Sequence, residues 1–436
     1  MQKAFLFVVI VFLSINSLAQ KDIIVTLDSI PKIGINSVPV AELKTVKYSD
    51  DDLKRIDSLL VEAKFDSPLF DSFEYVLDDK DITTTTTQFV SPELLKSRLA
   101  EINSTTPFNL AFNPALEKVI NSYLKHRKKY YPALMARAKY YFPLFEQYLD
   151  QYDIPLEMKY LAIVESSLYP RAKSRVGATG LWQFMYGTGK QYKLAVNSYV
   201  DERQDPVKST IAACKYLSFL NNLFNDWDLA LAAYNSGPGN VLKAIKRSGG
   251  YRNYWNIRPF LPMETAGYVP AFYATMYIFK YNDELGIYPD TPSIYNFQTD
   301  TVQVKRTITF DQITEKIGVD GETLSFLNPK YKIDVIPYVK KKNFSVRLPK
   351  NKIIDFLDKE REIYELAAVE DSLREKPLPK YFEMDKRIRY KVKSGDYLGK
   401  IARKFGVKIK DIKRWNNMRG TNLKIGQGLY IYPRRM

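Results

Sequence analysis

Between about residues 107 and 285, apolar side chains recur every three to four positions. Val119, Ile120, Tyr123 and Leu124 form one such face, and 134–149 and 156–168 repeat the pattern. This spacing predicts a succession of compact helices. Asp205 followed by Pro206 reads as a helix start, with Asp as N-cap and Pro at the first helical position, for a helix through Leu217 and Leu220 to about Phe224. Cys214 falls inside that helix as a buried small residue. The text Asn235-Ser236-Gly237-Pro238-Gly239 interrupts the pattern, and a last long helix is expected over about 264–281. Residues 107–285 are therefore expected to be all-α.

Past Pro289 the period shortens. Segments 301–308 and 344–348 read as strands around a helical piece near 310–317, and the charged helical stretch 351–387 reads as a linker. The end, 388–434, has β-α-α-β order: Tyr390, Lys391 and Val392 alternate, 398–405 and 409–415 are helical, and 429–431 alternate again. The expected fold class is mainly α, an all-α body followed by small α+β (βααβ) modules.

The start of the chain is different. A charged start at Lys3, an apolar run over 4–13 and the small-residue site Ser17-Leu18-Ala19 read as a secretory signal peptide, 1–19. The apolar run is short for a bilayer span. An exported protein of the periplasm or cell envelope is expected. Residues 20–106 read as a partly irregular leader with no chemical motif.

Composition narrows the chemistry. The 436 residues include 65 Lys and Arg against 49 Asp and Glu, a formal net charge of +16, and 45% are hydrophobic, enough for globular modules. Export sets nucleic acid aside as the partner of this charge and favours anionic cell-surface polymers; peripheral membrane association stays open. The chain has one His, His126, and one Cys. Zinc clusters, Ser-His-Asp triads and disulfide frameworks are thereby set aside, and no metal or organic cofactor is expected. Carboxylates, hydroxyls and the 32 tyrosines must carry any reaction.

Glu165 is the leading candidate. In YLAIVESSLYP (160–170) it sits where an apolar helix turns out, beside Ser166. Apolar neighbours desolvate a carboxylate and raise its pKa, so that it can hold a proton at neutral pH and donate it to a glycosidic oxygen. A Glu at a helix end is equally a solvated or capping residue. The next text, GATGLWQFM (177–185), adds a glycine turn and an amide suited to sugar hydroxyls and an acetamide. AAYNSG (232–237) and ETAGYV (264–269) follow.

The runs YLAIVESSLYPRAKSRVGATGLWQF, DERQDP, ALAAYNSGPGNV and LPMETAGYVP, in that order, resemble the lytic transglycosylases, and specifically the membrane-bound lytic murein transglycosylase D group of the lysozyme-like superfamily. The resemblance covers 107–285. It implies a lysozyme-like SLT catalytic domain in which Glu165 is the sole catalytic acid and base at the β-1,4 bond between N-acetylmuramic acid and N-acetylglucosamine. Ser166 would complete the Glu-Ser pair and Gln183 would bind sugar. Tyr234 would hydrogen-bond near the Glu165 carboxylate, Asn235 would shape that loop, and Glu264 and Tyr268 would line the groove. The implied enzyme is a carbon-oxygen lyase acting on polysaccharide, similar to glycoside hydrolase family 23, that forms 1,6-anhydro ends. A hydrolytic muramidase and a catalytically silent peptidoglycan-binding protein remain as alternatives.

One departure is that Tyr186 follows Met185, where the family has proline. Trp182 reads as a packing residue, Asp205 as a cap, and Asp201 and Glu202 as a solvated turn. Tyr234 and Tyr268 are equally readable as core residues. At the C-terminus YKVKSGDYLGKIARKFGV, IKDIKRWNNM and LKIGQGLYIYP resemble the LysM module, with Tyr397 in place of the usual Thr. That resemblance implies binding to the glycan strands of peptidoglycan through an N-acetylglucosamine-containing polymer. Segment 300–350, with ITEKIGVDGETLSFLNP and VRLP, is similar to a degenerate second copy.

Overall fold

The computed structural model describes residues 90–383 and 388–433. The expected signal peptide and nearly all of the leader lie outside the described residues.

The helical body begins earlier than 107. Helix α1 (Pro92–Asn103) starts with Ser91, whose hydroxyl accepts from the Leu94 amide at 3.2 Å, and buries Leu95, Leu99 and Ile102 in the main core. Residues spaced four and three apart on so short a helix give one apolar stripe, easily overlooked beside the irregular text before it. Helices α2 (Pro114–His126), α3 (Tyr131–Gln151), α4 (Leu161–Ser166) and α5 (Tyr186–Gln191) follow. Next comes α6 (Pro206–Phe224), where Asp205 Oδ1 accepts from the amides of Val207 and Lys208 at 3.1 and 3.0 Å, the cap expected. Cys214 is fully buried within it. The remaining helices are α7 (Trp227–Ser236), α8 (Pro238–Arg247), α9 (Tyr254–Ile257) and α10 (Met263–Lys280).

Helix α10 is buried almost all round, so the others pack about it. Pro270 inside it lacks the N–H that would bond the Ala266 carbonyl. The Tyr254 hydroxyl and Arg258 Nε donate to that carbonyl instead, each at 2.8 Å. The break is thus satisfied from outside the helix, two residues from Tyr268.

A second core follows the body. Strands β1 (Thr299–Val304) and β2 (Ile308–Thr309), helices α11 (Phe310–Ile317) and α12 (Gly321–Leu327), and strands β3 (Val335–Ile336) and β4 (Phe344–Pro349) build it. β1 pairs antiparallel with β4, Val302 opposite Val346, and β2 pairs with β3. The charged stretch beyond is not a free spacer. Helices α13 (Ile353–Asp358) and α14 (Glu360–Leu373) bury Phe356, Ile363 and Ala367 in this second core. Their apolar positions are few, and the surrounding charges hid the stripe.

The third core belongs to β5 (Ile388–Lys391), α15 (Leu398–Phe405), α16 (Ile409–Trp415) and β6 (Gly428–Ile431), with β5 and β6 antiparallel. The two small modules share a device. Asn416 donates to the Tyr430 carbonyl at 2.8 Å and accepts from its amide at 2.7 Å. Asn328 makes the same two bonds with Arg347, at 2.8 and 2.7 Å. Each Asn follows the second helix and clips the last strand. α11 and α15 also both end on a left-handed glycine, Gly318 and Gly406.

Candidate active site

Glu165 lies in the last turn of α4, a helix of six residues. The helix stops because Ser167 and Leu168 both take positive φ, 51° and 61°. Non-glycine residues adopt that region only when their surroundings hold them there. Here the Ser167 amide bonds the Ile163 carbonyl at 2.8 Å, Arg137 Nε donates to the Ser167 carbonyl at 3.3 Å, and Leu168 is fully buried. The carboxyl is thereby presented from a rigid corner.

Glu165 is only 3% exposed. The Tyr268 hydroxyl, from α10, donates to Oε1, while Oε2 is buried without a hydrogen-bond partner. Burial pushes the carboxyl up to about 8, and the Tyr268 hydrogen bond partly offsets that rise. No cation lines the cavity on which Glu165 opens, among the described residues. Its walls are Glu165, Ala178, Trp182, Gln183, Phe184, Met185, Thr188, Tyr216, Tyr234 and Asn235, around about 20 Å³. Glu165 is the only carboxylate among them.

The other expected residues fall in distinct places. Asn235 lines the cavity; its Oδ1 accepts from Thr265 Oγ1 at 2.8 Å, which leaves Nδ2 buried without a partner. The free carboxyl oxygen of Glu165 and the free amide nitrogen of Asn235 therefore belong to the lining of one small space. Gln183 also lines it, but Nε2 donates to the carbonyls of Gly180 and Ala172 at 2.8 and 3.3 Å, so this amide nitrogen braces the loop. Ser166 is buried and donates to the Ala162 and Leu181 carbonyls at 3.0 and 2.9 Å, tying α4 to the same loop. Tyr234 lines the cavity with its hydroxyl on the Trp182 carbonyl at 2.9 Å; the hydroxyl on the carboxylate is that of Tyr268 instead. Tyr268 sits behind Glu165, fully buried, and not among the cavity walls. Glu264 is exposed on the first turn of α10 and outside the cavity.

The loop 172–184 is held by more than its own turns. Thr179 and Phe184 exchange amide–carbonyl bonds at 3.1 Å each. Gly180 has φ +93°, and a Cβ there would lie 1.9 Å from the Arg203 carbonyl oxygen, so only glycine fits. Trp182 is a packing residue, fully buried with Nε1 on Thr210 Oγ1 at 2.9 Å and its ring 5.0 Å from that of Phe145. Tyr186, where the family has proline, opens α5, and the Arg203 guanidinium lies 5.8 Å from its ring centroid.

Asp201 is not in a solvated turn. It is buried and forms a bidentate pair with Arg203, Oδ1 to Nε at 3.0 Å and Oδ2 to Nη2 at 2.7 Å. Glu202 accepts from the Ala195 amide at 2.8 Å. The text DERQDP carries part of the family resemblance but no sign of this pair, because burial of an acid with its own neighbour two residues on leaves no periodic signal. Sequence reasoning also missed Thr265, Tyr216 and another buried carboxyl, Asp228, which burial pushes up to about 7 beside the Tyr273 hydroxyl. Asp228 lines a different cavity, with Asn109 and Asn225. An acid inside the apolar text WDLALAAY was the available signal.

Residues 143–256 match the Transglycosylase SLT domain, 298–365 match the LysM-like domain described for lytic transglycosylase MltD, and 390–431 match the LysM domain. Over 334 residues the chain is 34% identical to membrane-bound lytic murein transglycosylase D of Escherichia coli (strain K12), a match spanning 73% of this chain and 69% of that protein. A soluble lytic murein transglycosylase of the same strain is 32% identical over 148 residues, 32% of this chain and 23% of that one. Among solved structures, the 70 kDa soluble lytic transglycosylase of Escherichia coli aligns with TM-score 0.31 at 25% identity, over 51% of this chain and 36% of that one.

Proposed function

The chain belongs to the membrane-bound lytic murein transglycosylase D family, and on that premise we propose that Glu165 cleaves the glycan strand of peptidoglycan without consuming water. The enzyme is a lytic transglycosylase with a LysM peptidoglycan-binding region. One observation carries the assignment of Glu165: it is a buried, lone carboxyl in its cavity, raised to about 8, with one oxygen on Tyr268 and the other unpaired.

A carboxyl in that state is protonated at neutral pH and can act as a general acid. Protonation of the glycosidic oxygen lets the bond from C1 of N-acetylmuramic acid break, and N-acetylglucosamine leaves with a 4-hydroxyl. The carboxylate then accepts the proton of the muramic 6-hydroxyl as its oxygen bonds C1. Glu165 ends protonated as it began, and the sugar ends as a 1,6-anhydro ring. A hydrolase ordinarily needs a second carboxyl to activate water or act as nucleophile. An internal hydroxyl needs none, because its effective molarity far exceeds what a bimolecular attack offers.

The free Nδ2 of Asn235 supplies a donor for an acceptor on the bound sugar, the acetamide carbonyl being the fitting one. Ser166 and Gln183 act by bracing the loop and the helix that carry the site. The cavity holds a hydroxyl-sized group, so the sugar rings lie outside it and present the glycosidic oxygen. The LysM module at 388–433 binds N-acetylglucosamine-containing strands and raises the local substrate concentration. We assign the protein to the cell envelope, exported to the periplasm by residues 1–19. No helix among the described residues is long and apolar enough to cross a membrane. Replacing Glu165 with Gln keeps the shape and removes the proton; turnover on purified peptidoglycan should fall by at least about a thousandfold with wall binding intact. Wild-type turnover in that variant would refute the assignment.

A further inference from the structure

The module built from β1 to β4 meets the helical body in several places: Leu327 is buried in the main core, the Phe326 ring lies 4.9 Å from that of Tyr140, and the stretch 195–205 carries a run of backbone and side-chain bonds. Val200 bridges Tyr331, the Asp201 amide donates to the Lys330 carbonyl at 2.9 Å, and the Lys332 amide donates to the Tyr199 carbonyl at 2.8 Å. Lys332 Nζ reaches the Asn197 carbonyl at 3.0 Å, and Lys330 Nζ lies 3.1 Å from Asp205. Tyr199 and Val200 are buried in the module's core rather than in the body's. Arg171 supplies a further attachment, donating to the Pro329 and Tyr331 carbonyls at 3.3 and 2.9 Å and pairing with Asp334 at 2.7 Å.

The same stretch reaches the catalytic loop at its other end. Arg203, fixed by Asp201, donates through Nη1 to the carbonyls of Gly177 and Phe184 at 3.0 and 3.2 Å. Its side chain is 8% exposed, as is that of Asp201. Gly180 is packed against the Arg203 carbonyl, and Gln183 has φ 44°. A loop in such conformations persists only where its surroundings over-determine it. Contacts therefore run without a gap from Lys330 and Tyr331 through Asp201 and Arg203 to the loop that walls the Glu165 cavity.

We propose that the 299–349 module positions the active site: it clamps the 195–205 stretch and, through the Asp201–Arg203 pair, holds the 177–184 loop against Glu165. This rests on Glu165 being the acid. The module then has a part in turnover that does not require it to touch glycan, and Arg203 is a positioning residue. The planar fork of Arg203 serves four acceptors at once, which a lysine cannot do.

The test uses the full chain and a soluble glycan oligomer. Arg171→Met together with Lys330→Ala removes module contacts outside the catalytic cavity. Amide exchange in 195–203 should rise, and kcat should fall between about 5-fold and 100-fold with KM changed less than about twofold. Retention on insoluble peptidoglycan should stay at the wild-type level. The alkaline limb of kcat should move to lower pH, because a loosened loop admits water to Glu165, whose facing groups are the tyrosines 216, 234 and 268. Arg203→Lys should act in the same direction and more strongly. Wild-type kcat and pH limb with loosened 195–203 overturn the proposal, and so does unchanged exchange, since the module would not be holding the stretch. Loss of wall retention with kcat intact also overturns it, making the module a binding unit. A general failure of the Glu165 reading is seen separately, in the wild-type chain's products.

Discussion

Tyr268 donates its hydroxyl to Oε1 of Glu165, and both side chains are buried, one on the central helix and one at the end of the short helix α4. The bond favours the charged carboxylate, while burial disfavours it more, so the proton stays on Glu165 up to about pH 8. Catalysis that starts with proton donation should be flat at neutral pH and decline as pH rises through about 8. Tyr268→Phe removes the donor, so the carboxyl rises further and the alkaline limb moves upward. The loosened carboxyl should cost about 10-fold to 100-fold in kcat. Measuring kcat from pH 5 to 10 for both proteins checks the direction of the shift; a downward shift contradicts the role given to Tyr268.

The buried acid also makes a prediction about stability. Below about pH 4.5 Glu165 is protonated whether folded or unfolded, and no penalty arises. Above it the unfolded chain loses the proton first, so the wild type loses stability as pH climbs until the folded group ionises near 8. Glu165→Gln carries no such linkage and should be more stable than wild type, by up to roughly 3 kcal/mol at pH 7 and by far less at pH 4. Asp228 titrates in both proteins and cancels in the difference. Denaturant titration at the two pH values reads this directly.

Asn416 satisfies both backbone groups of Tyr430 in the C-terminal module. Asn416→Ala leaves that amide and carbonyl without their protein partner at a cost of about 1–3 kcal/mol. The module has one small core, so this is a large share of its stability. Retention on insoluble peptidoglycan should weaken in the variant, while kcat on short soluble glycans should match wild type. Equal retention would show that wall binding does not depend on this module.

Much of the catalytic body was legible in the sequence, because helix faces and caps are local. The Asp205 cap and the α6 span needed only the order of residues. Glu165 stood out because a carboxylate beside an apolar helix has few neutral explanations once the following motifs are added. What escaped reading is what depends on distant chain segments. Nothing near Tyr234 or Tyr268 says which hydroxyl reaches the acid; the tertiary packing of α7 and α10 places one on the Trp182 carbonyl and the other on Glu165. Asp201 looked like part of a solvated turn because the groups that it and Arg203 hold, at 177, 184 and 330, lie far along the chain. Helices α13 and α14 looked like a spacer because three buried residues among many charges make a faint stripe.

The central claim is that Glu165 works alone and that the attacking group is the substrate's own hydroxyl. Mass spectrometry of the sugars released from purified peptidoglycan tests it most directly. Products one water lighter than hydrolysis fragments, with 1,6-anhydro ends, are predicted; fragments with free reducing ends would contradict it.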